Sequence, residues 1–218
     1  MIDAFPTAAA LADAAAAQIT AALQEALANR GRASLVATGG RSPGPVYDRL
    51  AEAPLAWDKV TVTLSDERCV ADDHADSNAA LVRARLLQRA AVAANFLPLW
   101  PSPDVAALAA LQPFDVVMLG MGEDGHIASL IPGDPGLEDA LTTTDLTRLV
   151  PAGLGKPPAA RITLTLSALL SARAIFLLIS GQTKREVLAR ALAGGNLPVA
   201  RLLSKAKVPV RILWSPEV

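Results

Sequence analysis

Phe114-Asp115-Val116-Val117-Met118-Leu119-Gly120-Met121-Gly122-Glu123-Asp124-Gly125-His126 is the stretch that decides the fold. Its first six residues make an essentially continuous apolar run, the mark of a strand covered on both faces, as strands are in parallel sheets flanked by helices. A glycine-rich loop follows at once. Outward from this strand, short apolar runs alternate with longer helix-patterned stretches. Thr7 to Asn29 is rich in Ala and Leu, has no internal Gly or Pro, follows Pro6 and stops before Gly31, which predicts a helix. Ser34 to Ala37 reads as a strand, and Pro43 to Glu52 as a helix with its prolines confined to the opening turn. Strands at Val60 to Leu64 and Phe96 to Leu99, an Arg-studded amphipathic helix at Ser77 to Ala91 and a helix at Pro103 to Leu111 complete the first half. Downstream, Arg161 to Leu164, Ala174 to Ile179 and Val208 to Trp214 read as strands, with helices at Thr183 to Ala193 and Pro198 to Lys205. Strands alternating with helices predict an α/β fold with a mostly parallel, doubly covered sheet. No linker-like or repeated segment divides the chain, so residues 1–218 are expected to form one domain.

Composition narrows the class of function. The 218 residues are 52% hydrophobic and 19% charged, which excludes a disordered chain. Twenty Lys and Arg stand against twenty-one Asp and Glu, without a basic block, so nucleic acid is not an expected partner. The apolar run Ala174 to Ile179 is far short of the ~18 residues a spanning helix needs, and Met1 to Pro6 has no basic region before an apolar core. No membrane association and a cytoplasmic location are therefore expected. One cysteine, Cys69, two histidines and no Cys-x-x-Cys leave few ligands for a structural metal, and none is expected.

In a parallel sheet of this kind ligands bind beyond the carboxyl ends of the strands, which directs attention to the loops after Ala37, Leu64, Leu119 and Ile179. The first is Thr38-Gly39-Gly40-Arg41-Ser42-Pro43. Its glycines let backbone N–H groups turn toward an anion at the start of the following helix, although an ordinary strand-to-helix turn would use the same residues. It lacks the Walker lysine and the G-x-G-x-x-G spacing, so a nucleotide cofactor is not indicated. The second is Ser65-Asp66-Glu67-Arg68, where Arg68 could grip phosphate through its fork of donors or belong to a surface ion-pair cluster. The run Asp72 to Asn78 supplies turn and cap residues, with Asp76 or Ser77 as a helix N-cap and His74 read as a solvated loop residue.

The third loop, Gly120 to Gly133, is the most informative. Its Asp124-x-His126 pair sets an imidazole, the side chain whose ordinary pKa lies nearest neutrality, two residues from a carboxylate that can fix its tautomer. That is a general-base arrangement; the bland alternative is a histidine that caps the next helix. The fourth loop, Ser180-Gly181-Gln182-Thr183-Lys184, puts a lysine in the first turn of a helix, where the dipole favours acids, and a bound anion would explain it. Arg161 is a further positive contact or a surface partner.

Taken together, Gly39-Gly40-Arg41-Ser42-Pro43, Asp66-Glu67-Arg68, Asp76-Ser77-Asn78, Gly120 to Gly133, Arg161 to Thr165 and Gly181 to Lys184 resemble the glucosamine-6-phosphate isomerase/6-phosphogluconolactonase family, in order along nearly the whole chain. Gly122-Glu123-Asp124-Gly125-His126 carries the superfamily core, and Ala128-Ser129-Leu130 after it resembles the lactonase branch. Thr38 and Arg41 stand where serine is frequent and Ile131 where phenylalanine is usual; none of these departures removes a proposed functional group. The resemblance implies a Rossmann-like sheet of the deaminase/ribose-5-phosphate isomerase type and hydrolysis of 6-phospho-D-glucono-1,5-lactone in the oxidative pentose phosphate pathway, with no cofactor. It implies a small phosphosugar lactone as partner, held at its phosphate by Gly39, Gly40, Arg41, Ser42, Arg68 and Lys184, with Arg161 contributing. It implies His126 as the base that takes a proton from water, oriented by Asp124, with loop N–H groups between Gly122 and Gly125 expected to stabilise the oxyanion. A monomer is expected rather than a large oligomer.

Two other readings remain to be weighed. In the deaminase branch a glutamate stands five residues after the histidine, and here that position is Ile131. A non-catalytic sugar-phosphate sensor would have no need of His126, and the neutral, Ala-rich start at Thr7 is not expected to accommodate a helix-turn-helix.

Overall fold

A computed structural model describes residues 2–217. Ten strands among these residues form two sheets: β1 (Ile2–Ala4), β2 (Ala33–Ala37), β3 (Val60–Leu64), β4 (Asp66–Arg68), β5 (Asn95–Phe96), β6 (Phe114–Gly120), β7 (Thr147–Val150), β8 (Arg161–Leu164), β9 (Ala172–Ser180) and β10 (Val210–Ser215). The large sheet runs β1-β10-β9-β6-β2-β3-β5, and all its neighbours are parallel. The expected Rossmann-like α/β architecture is therefore present. Its centre is the densest apolar part of the sequence: Val116, Val117, Met118 and Leu119 of β6 pack with Leu35 and Val36 of β2 and Ile175 to Leu178 of β9 in one buried cluster.

Eight α-helices among the described residues accompany the strands: α1 (Ala8–Arg30), α2 (Pro43–Leu50), α3 (Asn78–Arg85), α4 (Val105–Ala110), α5 (Leu137–Thr142), α6 (Leu166–Leu170), α7 (Gln182–Leu192) and α8 (Pro198–Lys205). The Thr7 hydroxyl starts α1 by accepting the Ala10 N–H at 3.1 Å, and the Gly31 N–H closes it on the Leu27 carbonyl at 2.9 Å. The buried stripe of α1 is mostly alanine, with Leu11, Ile19 and Leu23 between, so this long helix lies close against the sheet. No described helix is long and apolar enough to cross a membrane.

The structure departs from the sequence reading in four places. Arg161 to Leu164 is a strand, but it belongs to a second, antiparallel sheet, β4-β8-β7, and not to the parallel one. The helix expected from Ser77 to Ala91 ends at Arg85, and a 3-10 turn over Arg89–Ala93 follows. The strand expected at Phe96 to Leu99 is the two-residue β5. Short elements, among them β1, β7 and α6, are additional.

Ser65 joins the two sheets. Its N–H donates to Ala37 O at 2.7 Å, continuing the β2/β3 ladder, while its carbonyl accepts the Leu164 N–H at 2.8 Å. The chain leaves the carboxyl end of β3 and enters β4 without a loop between them. The large sheet also reverses its winding between β2 and β6: β3 and β5 lie on one side, and β9 and β10 on the other. A crevice opens at such a reversal, beyond the strand ends.

Candidate active site

The crevice is occupied by a cleft of about 190 Å³ that gathers all four searched loops. Gly39, Gly40, Arg41 and Ser42 line it after β2, Arg68 from β4, His126 after β6, Arg161 from β8 and Lys184 from α7. Asp124, the remaining predicted site residue, does not line the cleft but is bonded to the imidazole that does.

The loop after β2 is held from below. The buried Tyr47 phenol donates to Thr38 O at 2.6 Å and accepts the Thr38 N–H at 2.8 Å, and burial pushes its pKa far up, so it stays a neutral double link. Beyond that clamp, the Gly39 and Gly40 N–H groups have no acceptor among the described residues. Glycine is required at 39 by crowding: a Cβ there would stand 1.9 Å from Asn78 Oδ1. Ser42 Oγ lies 3.1 Å from Ser180 Oγ, tying this loop to the end of β9.

Asp66 and Glu67 have separate duties that local sequence could not divide. Glu67, 2% exposed, accepts the N–H groups of Arg68, Asn78 and Ala79 at 2.6 to 2.7 Å and the Ser77 hydroxyl at 3.2 Å. A buried carboxylate thus satisfies the orphan donors at the start of α3, where the helix dipole favours negative charge. Ser77 is the N-cap, its hydroxyl accepting the Ala80 N–H. Asp66 lines the cleft: it accepts the Ser129 hydroxyl at 2.5 Å, has the Ser65 hydroxyl at 3.0 Å, and lies 3.9 Å from the Arg161 guanidinium. Asn78 Nδ2 donates to Asp66 O at 2.8 Å and also faces the cleft.

Arg68 donates to Asp76 O at 2.6 Å, and Arg161 donates to Pro157 O at 2.9 Å. Both side chains nonetheless bury an Nε–H with no partner among the described residues. Arg161 is not the surface residue that one reading allowed: it is 4% exposed. Burial, and then the Arg68 charge, lower its pKa, with Asp66 and Asp76 opposing, yet a guanidinium stays charged at any physiological pH. Lys184 is also lowered, chiefly by burial and further by Arg41, against the pull of Glu123 and Asp124. Three cations, the buried Arg161 and the half-buried Arg68 and Lys184, thus converge on one cleft, and the two buried Nε–H groups without a partner are donors that an anion would complete.

On the opposite lip, His126 Nδ1 lies 2.6 Å from Asp124 Oδ1, which also accepts the His126 N–H at 3.1 Å. Burial raises the Asp124 pKa, but the hydrogen bond and charge of His126 outweigh it and hold the carboxyl below its ordinary range. With Nδ1 engaged, Nε2 is left for chemistry. No helix starts at His126, so the capping alternative falls away. One expectation needs correcting: the Gly122 and Gly125 N–H groups are spent on His126 O and Gly122 O, and the Asp124 N–H on its own carboxylate, so of the four only the Glu123 N–H has no acceptor among the described residues. His74 is exposed and turned to Asp76, away from the cleft. Among the described residues no group of three or more His, Cys, Asp or Glu is arranged to hold a metal ion.

Residues 6–214 match the family model for glucosamine-6-phosphate isomerases/6-phosphogluconolactonase, and the chain belongs to that family of sugar-phosphate enzymes. Within it the similarity runs to the lactonases. A 6-phosphogluconolactonase of Caulobacter vibrioides is 44% identical over 98% of this chain and 97% of its own. The crystal structure of a 6-phosphogluconolactonase from Shewanella baltica superposes with a TM-score of 0.88 at 38% identity, covering 99% of this chain and 97% of that one. A monomeric glucosamine-6-phosphate deaminase, 21% identical with a TM-score of 0.78 over 99% of this chain and 97% of that one, shares the fold.

Proposed function

We propose that the cleft hydrolyses 6-phospho-D-glucono-1,5-lactone to 6-phospho-D-gluconate, with His126 as general base. That the chain is an enzyme of the 6-phosphogluconolactonase type rests on relatives of that name at up to 44% identity over almost its whole length. The observation that carries the chemistry is the pairing, in one cleft, of two guanidinium groups, each with a buried Nε–H short of a partner, with an Asp-oriented imidazole. Arg68, Arg161 and Lys184, with the free N–H groups of Gly39 and Gly40 and the side chains of Arg41 and Ser42, hold the 6-phosphate. The C1 carbonyl then lies toward the His126 lip. His126 Nε2 takes a proton from water as its oxygen attacks C1, and the tetrahedral intermediate collapses with cleavage of the bond from C1 to the ring oxygen. The same proton passes to the departing ring oxygen, and the new carboxylic acid ionises to the product.

Asp124 keeps the imidazole in the tautomer that leaves Nε2 free to accept, and stabilises the imidazolium once formed. The position that carries a glutamate in the deaminase branch holds the buried Ile131, which offers no acid or base for ring opening. The test is lactone hydrolysis followed by coupled 6-phosphogluconate oxidation, with spontaneous opening subtracted. Wild type should accelerate the reaction, and His126→Ala should lose a factor of about 10² to 10⁴, the usual worth of general acid-base catalysis. A His126→Ala enzyme with undiminished kcat would remove His126 from the mechanism.

A further inference from the structure

The amino-terminal end of the large sheet, opposite the cleft, concentrates positive charge on a chain whose net charge is −1. Three cavities of about 610, 480 and 70 Å³ adjoin there, all sharing Pro113. They form one furrow across the bottom of the fold. Six cations line it, Arg30, Arg32, Arg173, Lys205, Lys207 and Arg211, against only two carboxylates, Glu25 and Asp115. Asp115 is already committed: Oδ1 takes Arg30 at 2.5 Å and Arg173 at 3.4 Å, while Oδ2 takes the Ser34 N–H at 2.8 Å. One carboxylate shared by two arginines leaves an excess of positive charge, to which Arg32, Lys207 and Arg211 add exposed guanidinium and ammonium groups.

The topology spaces these charges. Arg211 opens β10, Arg173 opens β9, Asp115 opens β6, and Arg30 and Arg32 precede β2; these four strands are neighbours in the sheet. At ~4.8 Å between strands the row is about 14 Å long, the reach of about four residues of extended chain. It is too long for a single phosphate. Between the charges the walls mix small apolar side chains, Leu170, Ala172, Ala174 and Val208 among them, with hydroxyls such as Ser167 and Ser171, and no aromatic side chain lines any of the three cavities, so a nucleotide base would find no face to stack on.

We propose that this furrow docks an acidic segment of a partner protein: an extended chain with carboxylates directed at the arginine row and small apolar side chains between them. Such docking would leave the catalytic cleft open, because the two lie at opposite ends of the strands. Charge complementarity of this kind mainly steers and orients association, and it weakens with salt.

The test is fluorescence anisotropy with a labelled decapeptide of alternating Glu and Ala at low ionic strength. The wild-type chain should bind it saturably, and Lys207→Glu/Arg211→Glu should bind at least ten times more weakly. A Lys59→Glu/Arg190→Glu variant, with the same change of net charge placed elsewhere, should bind as wild type does, and both variants should keep the hydrolytic rate. Absence of saturable binding, equal weakening by the two variants, or displacement of the peptide by an equimolar amount of inorganic tripolyphosphate would each overturn the proposal, the last by marking a small-anion site.

Discussion

Gly122→Ala tests how tightly the imidazole must be held. The added Cβ would stand 2.2 Å from both Cε1 and Nδ1 of His126 and 2.6 Å from Asp124 Oδ1. Carbon and nitrogen atoms not bonded to each other rest at ~3.5 Å, so the ring must retreat by about 1.3 Å, the difference between the two distances. Its 2.6 Å hydrogen bond to Asp124 cannot survive that retreat unless both side chains move together. A displacement of ~1 Å at a reacting group is worth about 10² in rate, or roughly 2.7 kcal/mol of barrier. The residues proposed to hold the phosphate, on the other lip, are untouched. The expected result is a kcat lower by about 10² with KM little changed, the pattern of an interaction used in the transition state. Residue 122 does not need a left-handed backbone, so alanine is otherwise compatible and the melting temperature should stay near that of wild type. The assay is the coupled oxidation of 6-phosphogluconate, run beside a thermal melt. A variant with full kcat would refute the reasoning, since the imidazole would then be displaced without consequence.

Glu67→Gln should lower the unfolding free energy by about 2 to 3 kcal/mol, since a buried anion taking several donors becomes a neutral amide with one donating end. It should also raise KM, because Arg68 and Asn78 hang on the same carboxylate; an unchanged urea midpoint would sink this account. The Asp134 carboxylate accepts a hydrogen bond from Arg148, and burial, which raises its pKa, is outweighed by that bond and by the Gly136 N–H, so it is held below the ordinary range. A depressed carboxyl contributes its stability fully above the unfolded value of ~3.9 and loses it as pH falls through the lower folded value. The deficit of Asp134→Asn in urea unfolding should therefore be largest near pH 6 and shrink below about pH 4; an equal deficit at pH 3 and pH 6 would contradict it.

The large sheet was legible because its central strands are buried on both faces and so carry runs such as Val116 to Leu119, which no surface element tolerates. The helices α1 and α8 announced themselves by Thr7, Gly31 and Pro198 at their ends. The small sheet was not legible. β4 consists of three charged residues, and its burial is compensated by hydrogen bonds to α3 and Ser129 that local pattern does not contain. One signal was present: in β8 the alternation of Arg161 and Thr163 with Ile162 and Leu164 has the period-two pattern of an antiparallel strand, unlike the unbroken runs of β6 and β9. The expected helix through Ala91 failed because its Ala-rich continuation says nothing about where the chain must turn. That turn comes at Leu86 and Leu87, both of whose N–H groups close on Val82 O. In the site, the strand-end rule brought together the four loops, but the link from Asp66 to Ser129, 63 residues away, exists only in three dimensions.

The register of the small sheet places Arg68 directly opposite Arg161. Like charges facing each other across an antiparallel pair destabilise it. Two guanidinium groups therefore repel each other at the junction of the sheets, and an anion placed between them would turn that repulsion into attraction on both sides. Because a ligand that binds only the folded chain stabilises it by RT ln(1 + [L]/Kd), an anion bound at this junction raises resistance to unfolding, and the gain keeps growing with its concentration after the site is full. On the proposed function, the phosphosugar substrate is the anion that relieves this repulsion, so the same contact would serve both recognition and the joining of the two sheets.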